Sequence, residues 1–584
     1  MKMTISDREA VWQQIEQAWD VVVIGGGITG AGILRAASRL GLRCLLVEQR
    51  DFAWGTSSRS SKLVHGGLRY LKQGRFDLTR ASVQARQQLL KQGSGLIDPL
   101  GFLLSVYEGD FPGRWTFELG LTIYDLLALR WDHNYYSPQD FELLAPHISR
   151  KNLQGGFRYG DAQTDDARLV LRILQESRES GAVALNYLRA ERLVLDGGLV
   201  RGVELQDMLS KRRATASARV VVNATGAWAD QLRIQVEGAP KIRPLRGSHL
   251  IFPFWRLPVA QAVSFLHPID NRPVFIFPWE GVTLVGTTDV DYTGPLDEEP
   301  SISPEETAYL MAAVEAEFPS LSIGLEDVIS TYAGVRPVIG TGKLDPSKES
   351  REHIICEENG LLTVTGGKLT TFRDIAKDVI EALRPHFPSL PVLDAQTPVL
   401  NSIDMVLLGD TALDLSSQRR LLGRYGCAAP ELVSAAQPGE LLPIQSTPFL
   451  WAELRWAARA EAVAHLDDLL LRRTRLGLLL PEGGRLILPE VRRICQPELG
   501  WNDRRWKQEE HAYLALWQRH YSLPDLPSIP DWKEPLAQAR QQRQVMLQTR
   551  EKIAWRVSLG ALLAGLSGLF ALVAYLIYRK HRKS

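Results

Sequence analysis

Residues 20–35 read DVVVIGGGITGAGILR, and this stretch decides the fold. Its first part, residues 21–24, is a run of β-forming residues that predicts a short buried strand. Gly25, Gly27 and Gly30 follow at G-x-G-x-x-G spacing: the first permits a tight turn, the second lets a pyrophosphate approach, and the third lets helix and strand pack closely. The Ala- and Leu-rich segment after them predicts a helix, whose free N–H groups and dipole would hold phosphates.

A second strand follows and ends in an acid. Residues 43–48 read RCLLVE, and Glu48 lies 18 residues after Gly30. A carboxylate at this place accepts hydrogen bonds from a ribose 2′-hydroxyl. A glycine pattern alone could mark only a tight turn, but here strand, glycines, helix, strand and acid arrive in order. We therefore predict a dinucleotide site.

Three further segments suit contact with a cofactor. Residues 51–70, DFAWGTSSRSSKLVHGGLRY, are dense in Ser and Gly and predict an extended loop. Residues 219–228 and 361–372 each predict a strand that runs into glycine, and the helix start in the second would point its positive end at a bound group. The residues predicted to contact the cofactor are Thr56, Ser57, Ser58, Ser61, Lys62, His65, Gly66, Gly67, Ala224, Thr225, Gly226, Gly367, Lys368, Leu369 and Thr370.

Composition excludes several classes of protein. The 584 residues exceed one ordinary core, so two or three domains are expected. A net charge of +1 provides no global field for nucleic acid, and we expect no such partner. The four cysteines are scattered without a C-x-x-C pair, which excludes a cysteine-framed zinc site or disulfide scaffold, and we expect no metal. Residues 1–18 lack the apolar core of a signal peptide.

The C-terminal end differs, because residues 557–578 are uncharged and mainly apolar. As a helix they would be long enough to cross a bilayer, and we expect a transmembrane helix there, with a buried hairpin helix as the alternative. Small residues at spacing four, such as Ala561 and Gly565, could pair two such helices, so a homodimer is one expectation. Because no export signal precedes the large N-terminal body, we expect that body on the cytoplasmic side.

Seven short blocks of sequence follow one another along the chain in a specific order. They are GGGITGAG at 25–32, TSSRSSKLVHGGLRY at 56–70, DDARLV at 165–170, GSH at 247–249, GTTD at 286–289, GVRP at 334–337 and GGKLTT at 366–371. Together they resemble the FAD-dependent glycerol-3-phosphate dehydrogenase family, in its bacterial type, over roughly residues 19–517. The terminal apolar run is a departure, because members generally attach to membranes without an obvious transmembrane helix.

The resemblance implies noncovalent FAD and the oxidation of sn-glycerol 3-phosphate to dihydroxyacetone phosphate by hydride transfer to flavin. Electrons would pass to a membrane quinone, at the inner membrane of a bacterium and against its lipid bilayer. It implies substrate contacts from Arg69, Tyr70, Arg336 and Lys368, a cofactor contact from Asp289, and catalytic roles for His249, Arg336 and Lys368. Histidine suits removal of the hydroxyl proton, because its pKa lies near the operating pH.

We therefore expect an α/β fold: an FAD-binding Rossmann-like domain with a mixed-sheet substrate domain, a helical C-terminal domain and one C-terminal transmembrane helix. In the helical part, Arg472, Arg473 and Arg475 are expected on a solvated or ion-paired face. The expected segments are 19–85, 155–245 and 326–384 for FAD binding, 86–154 as a substrate cap, 246–325 as an antiparallel substrate domain, 399–530 as the helical domain and 557–578 as the membrane helix.

Three other functions stay open from the sequence. A related flavoprotein could oxidise a 2-hydroxy acid or an amine, whose carboxylate one arginine can satisfy. A glycerol-3-phosphate oxidase could pass electrons to oxygen. A non-catalytic flavin-binding membrane subunit is disfavoured, because Arg69, Arg336 and Lys368 are all present.

Overall fold

The computed structural model describes residues 5–68, 75–110, 113–340, 352–394, 397–401, 408–409 and 411–548. Its strands fall into two sheets. In chain order the strands are β1 (Trp19–Ile24), β2 (Cys44–Val47), β3 (Leu63–Val64), β4 (Ile97–Tyr107), β5 (Asn134–Tyr136), β6 (Leu153–Thr164), β7 (Val183–Leu185), β8 (Leu188–Asp196), β9 (Leu199–Asp207), β10 (Arg213–Asn223), β11 (Ile242–Pro253), β12 (Ala262–Leu266), β13 (Pro273–Trp279), β14 (Val282–Gly286), β15 (Val290–Asp291), β16 (Ser330–Ile339), β17 (His353–Glu358) and β18 (Leu361–Gly366).

Helices cover the sheets and form the C-terminal part. In chain order they are α1 (Ile5–Trp12), α2 (Ile28–Arg39), α3 (Phe76–Gln92), α4 (Arg114–Ala128), α5 (Pro138–Leu144), α6 (Asp166–Glu179), α7 (Ala229–Arg233), α8 (Pro304–Glu317), α9 (Phe372–Leu383), α10 (Leu415–Tyr425), α11 (Ala429–Ala435), α12 (Trp451–Ala460), α13 (Leu476–Leu479), α14 (Leu488–Leu499), α15 (Asp503–His520) and α16 (533–548).

The first sheet has the order β17-β18-β10-β1-β2-β7, and its five strands from β18 to β7 run parallel. Val21 and Val23 of β1 face helices α2, α6 and α9, whereas Val22 and Ile24 face the antiparallel β8–β10 layer. Burial on both faces explains why β1 is a continuous apolar run rather than an alternating one. Because these strands run parallel, their carboxyl ends all lie along one edge of the sheet.

The second sheet has the order β15-β11-β14-β13-β12-β4-β6-β3, with β16 paired to β11 and β5 to β6. Helix α8 packs on one face, against residues such as Leu250 and Ile276. The C-terminal helices pack on the opposite face, where Trp279, Tyr332 and the buried Trp506 belong to one hydrophobic cluster. This sheet is therefore sandwiched, and the helical domain is part of its core.

Two segment boundaries differ from the prediction. The second FAD-binding segment is predicted to begin at residue 155, but β6 pairs with β4 in the second sheet, where Phe102 lies opposite Tyr159. Likewise β16 falls within the predicted 326–384 segment but pairs with β11. Alternating burial fixes which residues of a strand face a core, but it does not identify the sheet that the strand joins.

The predicted fold class is corrected on one element, the transmembrane helix. Among the residues that the structure describes, no helix is both long and apolar enough to cross a bilayer. The segment predicted to do so, 557–578, lies outside those residues. The described residues thus form an α/β domain on a mainly parallel sheet, a sandwiched second sheet and a helical C-terminal domain.

Candidate active site

A groove of about 270 Å³ lies at the carboxyl ends of four neighbouring parallel strands. Gly25 follows β1, Glu48 follows β2, Ala224 follows β10 and Gly367 follows β18. The first residue after each of these strands therefore lines the groove, as in other open α/β sheets. The predicted residues that line the groove are Gly25, Gly27, Glu48, Thr56, Ser57, Ala224, Thr225, Gly226, Gly367, Lys368 and Leu369.

Two glycines of the turn have no room for a side chain. Gly25 has φ +113°, and a β-carbon there would lie 2.5 Å from the carbonyl oxygen of Ala224. A β-carbon on Gly30 would lie 1.9 Å from the carbonyl oxygen of Gly25. Gly27 differs, because its β-carbon would meet only the Ser57 hydroxyl, at 3.1 Å. Glycine is thus required for the turn at Gly25 and for packing at Gly30, while Gly27 opens the groove.

Glu48 closes the glycine turn. Its Oε2 accepts a hydrogen bond from the Gly26 N–H at 2.7 Å, and its Oε1 accepts one from the Arg50 N–H at 2.9 Å. Burial raises the pKa of the carboxyl, and these two N–H donors act against that rise. Glu48 also lines the groove, where it is placed to accept a ribose hydroxyl.

A loop around Trp54 forms one wall of the groove. The Trp54 ring lies between the guanidinium groups of Arg50 and Arg59, at 4.8 and 4.7 Å from their central carbons. Its ring centroid lies 5.9 Å from that of Trp228, which lines the same groove. Sequence reasoning did not include either tryptophan among the site residues. The signal was available, since Trp54 is next to Gly55 and Trp228 is two residues after Gly226, both in predicted cofactor segments.

The same loop contacts both the phosphate-binding helix and the second sheet. The Ser57 hydroxyl accepts a hydrogen bond from the N–H of Ile28, the first residue of α2, at 2.9 Å. The Thr56 hydroxyl donates to the carbonyl oxygen of Val335 in β16, at 2.5 Å. Thr56 and Ser57 therefore connect the glycine turn to the strand that carries Arg336.

The other predicted cofactor contacts lie away from the groove wall. Lys62 is fully buried, and its ammonium donates to both carboxylate oxygens of Asp166 at 2.9 Å. Burial lowers the pKa of Lys62 to about 8, although Asp166 acts to raise it. Gly66 donates its N–H to Asp161 at 2.9 Å. The predicted residues that do not line the groove are Gly30, Ser58, Ser61, Lys62, His65, Gly66, Gly67, Asp289 and Thr370.

Arg336 and His249 share one face of the second sheet. A β-carbon on Gly247 would lie 2.3 Å from Nη2 of Arg336. Gly247 and His249 are two residues apart on β11, so their side chains leave the strand on the same side. Arg336 donates to Asp289 Oδ1 and to Thr287 Oγ1, each at 3.0 Å. Pro337, the next residue along β16, lines the groove, whereas Arg336 and His249 are not among the residues that line it.

The His249 ring is fully buried and held in a defined orientation. It stacks on Tyr332 with ring centroids 4.5 Å apart, and its Nε2 lies 2.9 Å from the Ser61 hydroxyl. Burial lowers the pKa of the imidazole well below its usual range, and the charges of Arg336 and Lys62 lower it further. The ring is therefore neutral at physiological pH and able to accept a proton, but its lowered pKa makes it a weaker base than the sequence predicts. Arg69 and Tyr70 lie outside the described residues.

Comparison with known proteins shows the family to which this chain belongs. Residues 20–373 match the family described as FAD dependent oxidoreductase, and residues 372–506 match the C-terminal domain of alpha-glycerophosphate oxidase. Over 501 residues the chain is 34% identical to the aerobic glycerol-3-phosphate dehydrogenase of Staphylococcus haemolyticus, covering 81% of this chain and 90% of that one. The chain belongs to the FAD-dependent glycerol-3-phosphate dehydrogenase family.

Two further glycerol-3-phosphate dehydrogenases and one more distant oxidase are similar to this chain. The aerobic glycerol-3-phosphate dehydrogenase of Staphylococcus aureus is also 34% identical, with the same coverage. The solved glycerol-3-phosphate dehydrogenase of Bacillus halodurans, complexed with FAD, has a TM-score of 0.70 at 29% identity and covers 88% of this chain and 97% of that one. The L-alpha-glycerophosphate oxidase of Mycoplasma pneumoniae shares the fold, at 16% identity, with a TM-score of 0.54 and coverage of 66% and 99%.

FAD, the cofactor of this dehydrogenase family, fits the residues of the groove. A β-carbon on Gly27 would meet only the Ser57 side chain, so glycine there leaves space on the groove side of the turn for a pyrophosphate at the start of α2. Glu48 and the start of α2 suit the adenosine ribose and the phosphates. Gly367, Lys368 and Leu369 line the groove beyond β18, where they would meet the flavin end.

Proposed function

We propose that this chain oxidises sn-glycerol 3-phosphate to dihydroxyacetone phosphate and passes the electrons to a membrane quinone. The oxidation is supported by the relatives, whose names are those of glycerol-3-phosphate dehydrogenases. The observation that carries it here is the placement of Arg336 and a neutral, buried His249 on one face of the second sheet, next to Pro337 of the groove wall. Bound FAD supplies the acceptor for the hydride from carbon 2.

Each residue has a separate task in this proposal. Arg336 binds the substrate phosphate, because a guanidinium matches a phosphate with two parallel hydrogen bonds. Asp289 and Thr287 hold that guanidinium in place. His249 takes the hydroxyl proton at a ring nitrogen, and Ser61 orients the ring. Lys368 adds positive charge at the flavin end, where the reduced ring becomes more negative.

The test is anaerobic mixing of the flavin-loaded chain with sn-glycerol 3-phosphate while the visible flavin absorbance is followed. Bleaching with this substrate, and none with glycerol or lactate, supports the proposal. Bleaching by lactate or an amino acid instead would favour the hydroxy-acid or amine alternative.

Arg336→Lys is expected to raise the KM for the substrate about 100-fold, by loss of the bidentate contact. Arg243→Lys, at a half-buried arginine paired with Asp291 at 2.6 Å, is the matched control.

The electron acceptor needs its own experiment. With substrate present, a short-chain quinone should be reduced quickly and oxygen slowly. The reverse order would assign the chain to the oxygen-using oxidases, whose C-terminal domain its own resembles.

We propose a lipid bilayer as the surface partner, because a quinone acceptor resides there. The support is an apolar face on and after α4, where Trp115 is 77% exposed, Leu129 92% and Trp131 66%. Tryptophans of this kind settle at the membrane interface, and the adjacent Arg130 would favour anionic headgroups. We accordingly expect the chain at the cytoplasmic face of a bacterial inner membrane.

Vesicle co-sedimentation tests this partner. Trp115→Ser with Leu129→Ser should reduce binding to anionic vesicles several-fold, whereas Leu486→Ser, at a residue 86% exposed on the C-terminal domain, should not. If the double substitution instead converts a dimer to a monomer in light scattering and leaves vesicle binding unchanged, the face joins two copies of the chain.

A further inference from the structure

Three arginines of the C-terminal domain reach into the cofactor domain. Arg472, Arg473 and Arg475 are each at most 1% exposed and lie on or just after a π-helical turn, Asp468–Arg473. Such turns are rare and frequently mark functional sites. These residues were predicted on a solvated or ion-paired face. They are ion-paired, but they are buried between domains and not solvated. None of the three lines the cofactor groove.

Two of these arginines bind Asp51, at the start of residues 51–60, which we call the cofactor loop. Arg473 donates to both carboxylate oxygens of Asp51, at 2.6 and 2.7 Å, and Arg472 donates to Oδ2 at 2.6 Å. Asn186 adds a hydrogen bond at 2.9 Å. Burial opposes ionisation of Asp51, but the charges of Arg473 and Arg472 outweigh it and bring its pKa to about 2. The carboxylate is thus charged, buried and held on both oxygens.

Two backbone hydrogen bonds connect the turn that begins at Asp51 to the glycine turn. Its carbonyl oxygen accepts from the Trp54 N–H, and the N–H of Ala53 donates to the carbonyl oxygen of Gly26, both at 3.0 Å. The turn from Asp51 to Trp54 is therefore clamped between the arginines on one side and the phosphate-binding turn on the other. Trp54 itself forms the groove wall.

Arg475 holds the other end of the same loop. Its guanidinium donates to Asp165 Oδ1 at 2.9 Å, to Asp166, and to the carbonyl oxygen of Ser58 at 3.3 Å. Asp166 in turn accepts from the N–H and the hydroxyl of Ser60, at 3.0 and 2.7 Å. The groove-lining residues 54–57 thus lie between two anchors that the C-terminal domain supplies.

We propose that Arg472, Arg473 and Arg475 are positioning residues for FAD, which fix both ends of the cofactor loop and so set the affinity for the adenosine diphosphate half. A loop that is already ordered loses less conformational entropy when the cofactor binds, so affinity rises without a direct contact. The C-terminal domain would then be a determinant of cofactor retention, and this role is independent of the substrate and of the electron acceptor.

The test uses the full chain after removal of its flavin. Arg473→Lys is expected to raise the dissociation constant of FAD about tenfold, the factor that corresponds to 1.4 kcal/mol. ADP, as a probe for the adenosine half, should lose affinity by a similar factor, and flavin mononucleotide should not. The matched control is Arg455→Lys, because Arg455 pairs at 2.6 Å with Glu440 and Glu498 inside the C-terminal domain.

Thermal melting of the flavin-free chain separates positioning from simple stability. Positioning requires the apo melting temperature of Arg473→Lys to fall no further than that of Arg455→Lys. Unchanged FAD affinity, or equal losses for ADP and flavin mononucleotide, would overturn the proposal. If Arg473→Lys does not fold, Asp51→Asn with Arg473→Gln removes both charges together, which buried pairs tolerate better than loss of one partner. Wild-type FAD affinity in that double variant would equally overturn it.

Discussion

Glu48 and Gly26 are joined by a hydrogen bond of 2.7 Å, which ties the end of the second strand to the phosphate-binding turn. The same carboxylate faces the groove, so it serves the turn and the cofactor together. The consequences of this arrangement can be measured one residue at a time.

Glu48→Ala should weaken FAD binding about tenfold or more. It removes a charged acceptor from the Gly26 N–H, and hydrogen bonds to charged groups contribute about 1.5–3 kcal/mol. Flavin fluorescence titration of the apo chain measures the change. Glu191→Ala, at another acid that lines the groove, is the control and should stay within about twofold of wild type. Equal effects of the two substitutions would refute the assigned role of Glu48.

Gly30→Ala and Gly27→Ala should differ sharply. The added β-carbon at Gly30 meets a backbone carbonyl oxygen at 1.9 Å, which the turn cannot move without losing its form. At Gly27 it meets only a serine hydroxyl, which can rotate away. We expect Gly30→Ala to destabilise the chain by about 3 kcal/mol or more. Gly27→Ala should melt near the wild-type temperature but bind FAD weakly, because the new methyl group faces the pyrophosphate. Calorimetry of both apo chains checks this.

His249→Asn should lower kcat for sn-glycerol 3-phosphate by about 10²–10⁴, the usual contribution of a general base. Ser61→Ala should lower it less, since the ring keeps its stack on Tyr332. Anaerobic stopped-flow reduction of the flavin measures the chemical step directly. Tyr332→Phe retains the stacked ring and serves as the control. A His249→Asn chain that reduces its flavin at the wild-type rate would remove this residue from the mechanism.

Glu317→Gln should remove a pH-dependent loss of stability. Glu317 is buried, its Oε1 accepts from Ser105 at 2.8 Å, and Tyr107, Asp110 and Arg543 surround it. Burial raises its pKa from 4.5 to about 8, so the folded chain binds a proton that the unfolded chain releases. This contribution is complete below pH 4.5 and is lost as the pH rises to about 8, by up to about 1.4 kcal/mol per pH unit.

Urea unfolding at pH 5, 6.5 and 8 tests this sign. The wild-type free energy of unfolding should fall across the series relative to that of Glu317→Gln. Glu326→Gln, at a carboxylate of the same substrate domain with no such surroundings, should follow the wild type. Parallel curves for wild type and Glu317→Gln would show that Glu317 is ionised in the folded chain.

The sequence predicted the groove because its determinants are local. Each of the four strands is followed directly by the residue it delivers, as at Gly25 and Gly367, so a short window contains both the strand and its contact. The loop after Glu48 was predicted as a whole, but the direction of its individual side chains was not. Lys62 turns inward to Asp166, 104 positions away, and no local pattern indicates that partner.

The interdomain arginines show the same limit. A run of arginines in a helical segment normally indicates a solvated face. Only the fold shows that these arginines pair with the buried carboxylates of Asp51, Asp165 and Asp166. Sheet membership was missed for a related reason, since most residues of β6 and β16 are buried, as they would be in a covered strand of either sheet.

The separation between Asp51 and Arg472, 421 positions along the chain, also bears on how the protein is made. The ribosome releases the N-terminal strands and the glycine turn long before it synthesises the arginines that secure the neighbouring loop. Nascent chains that stop short of residue 472 contain every residue of the groove wall, yet their loop has neither anchor. If these anchors set the affinity for FAD as proposed, we expect cofactor loading to be completed only after the C-terminal domain has been translated and docked.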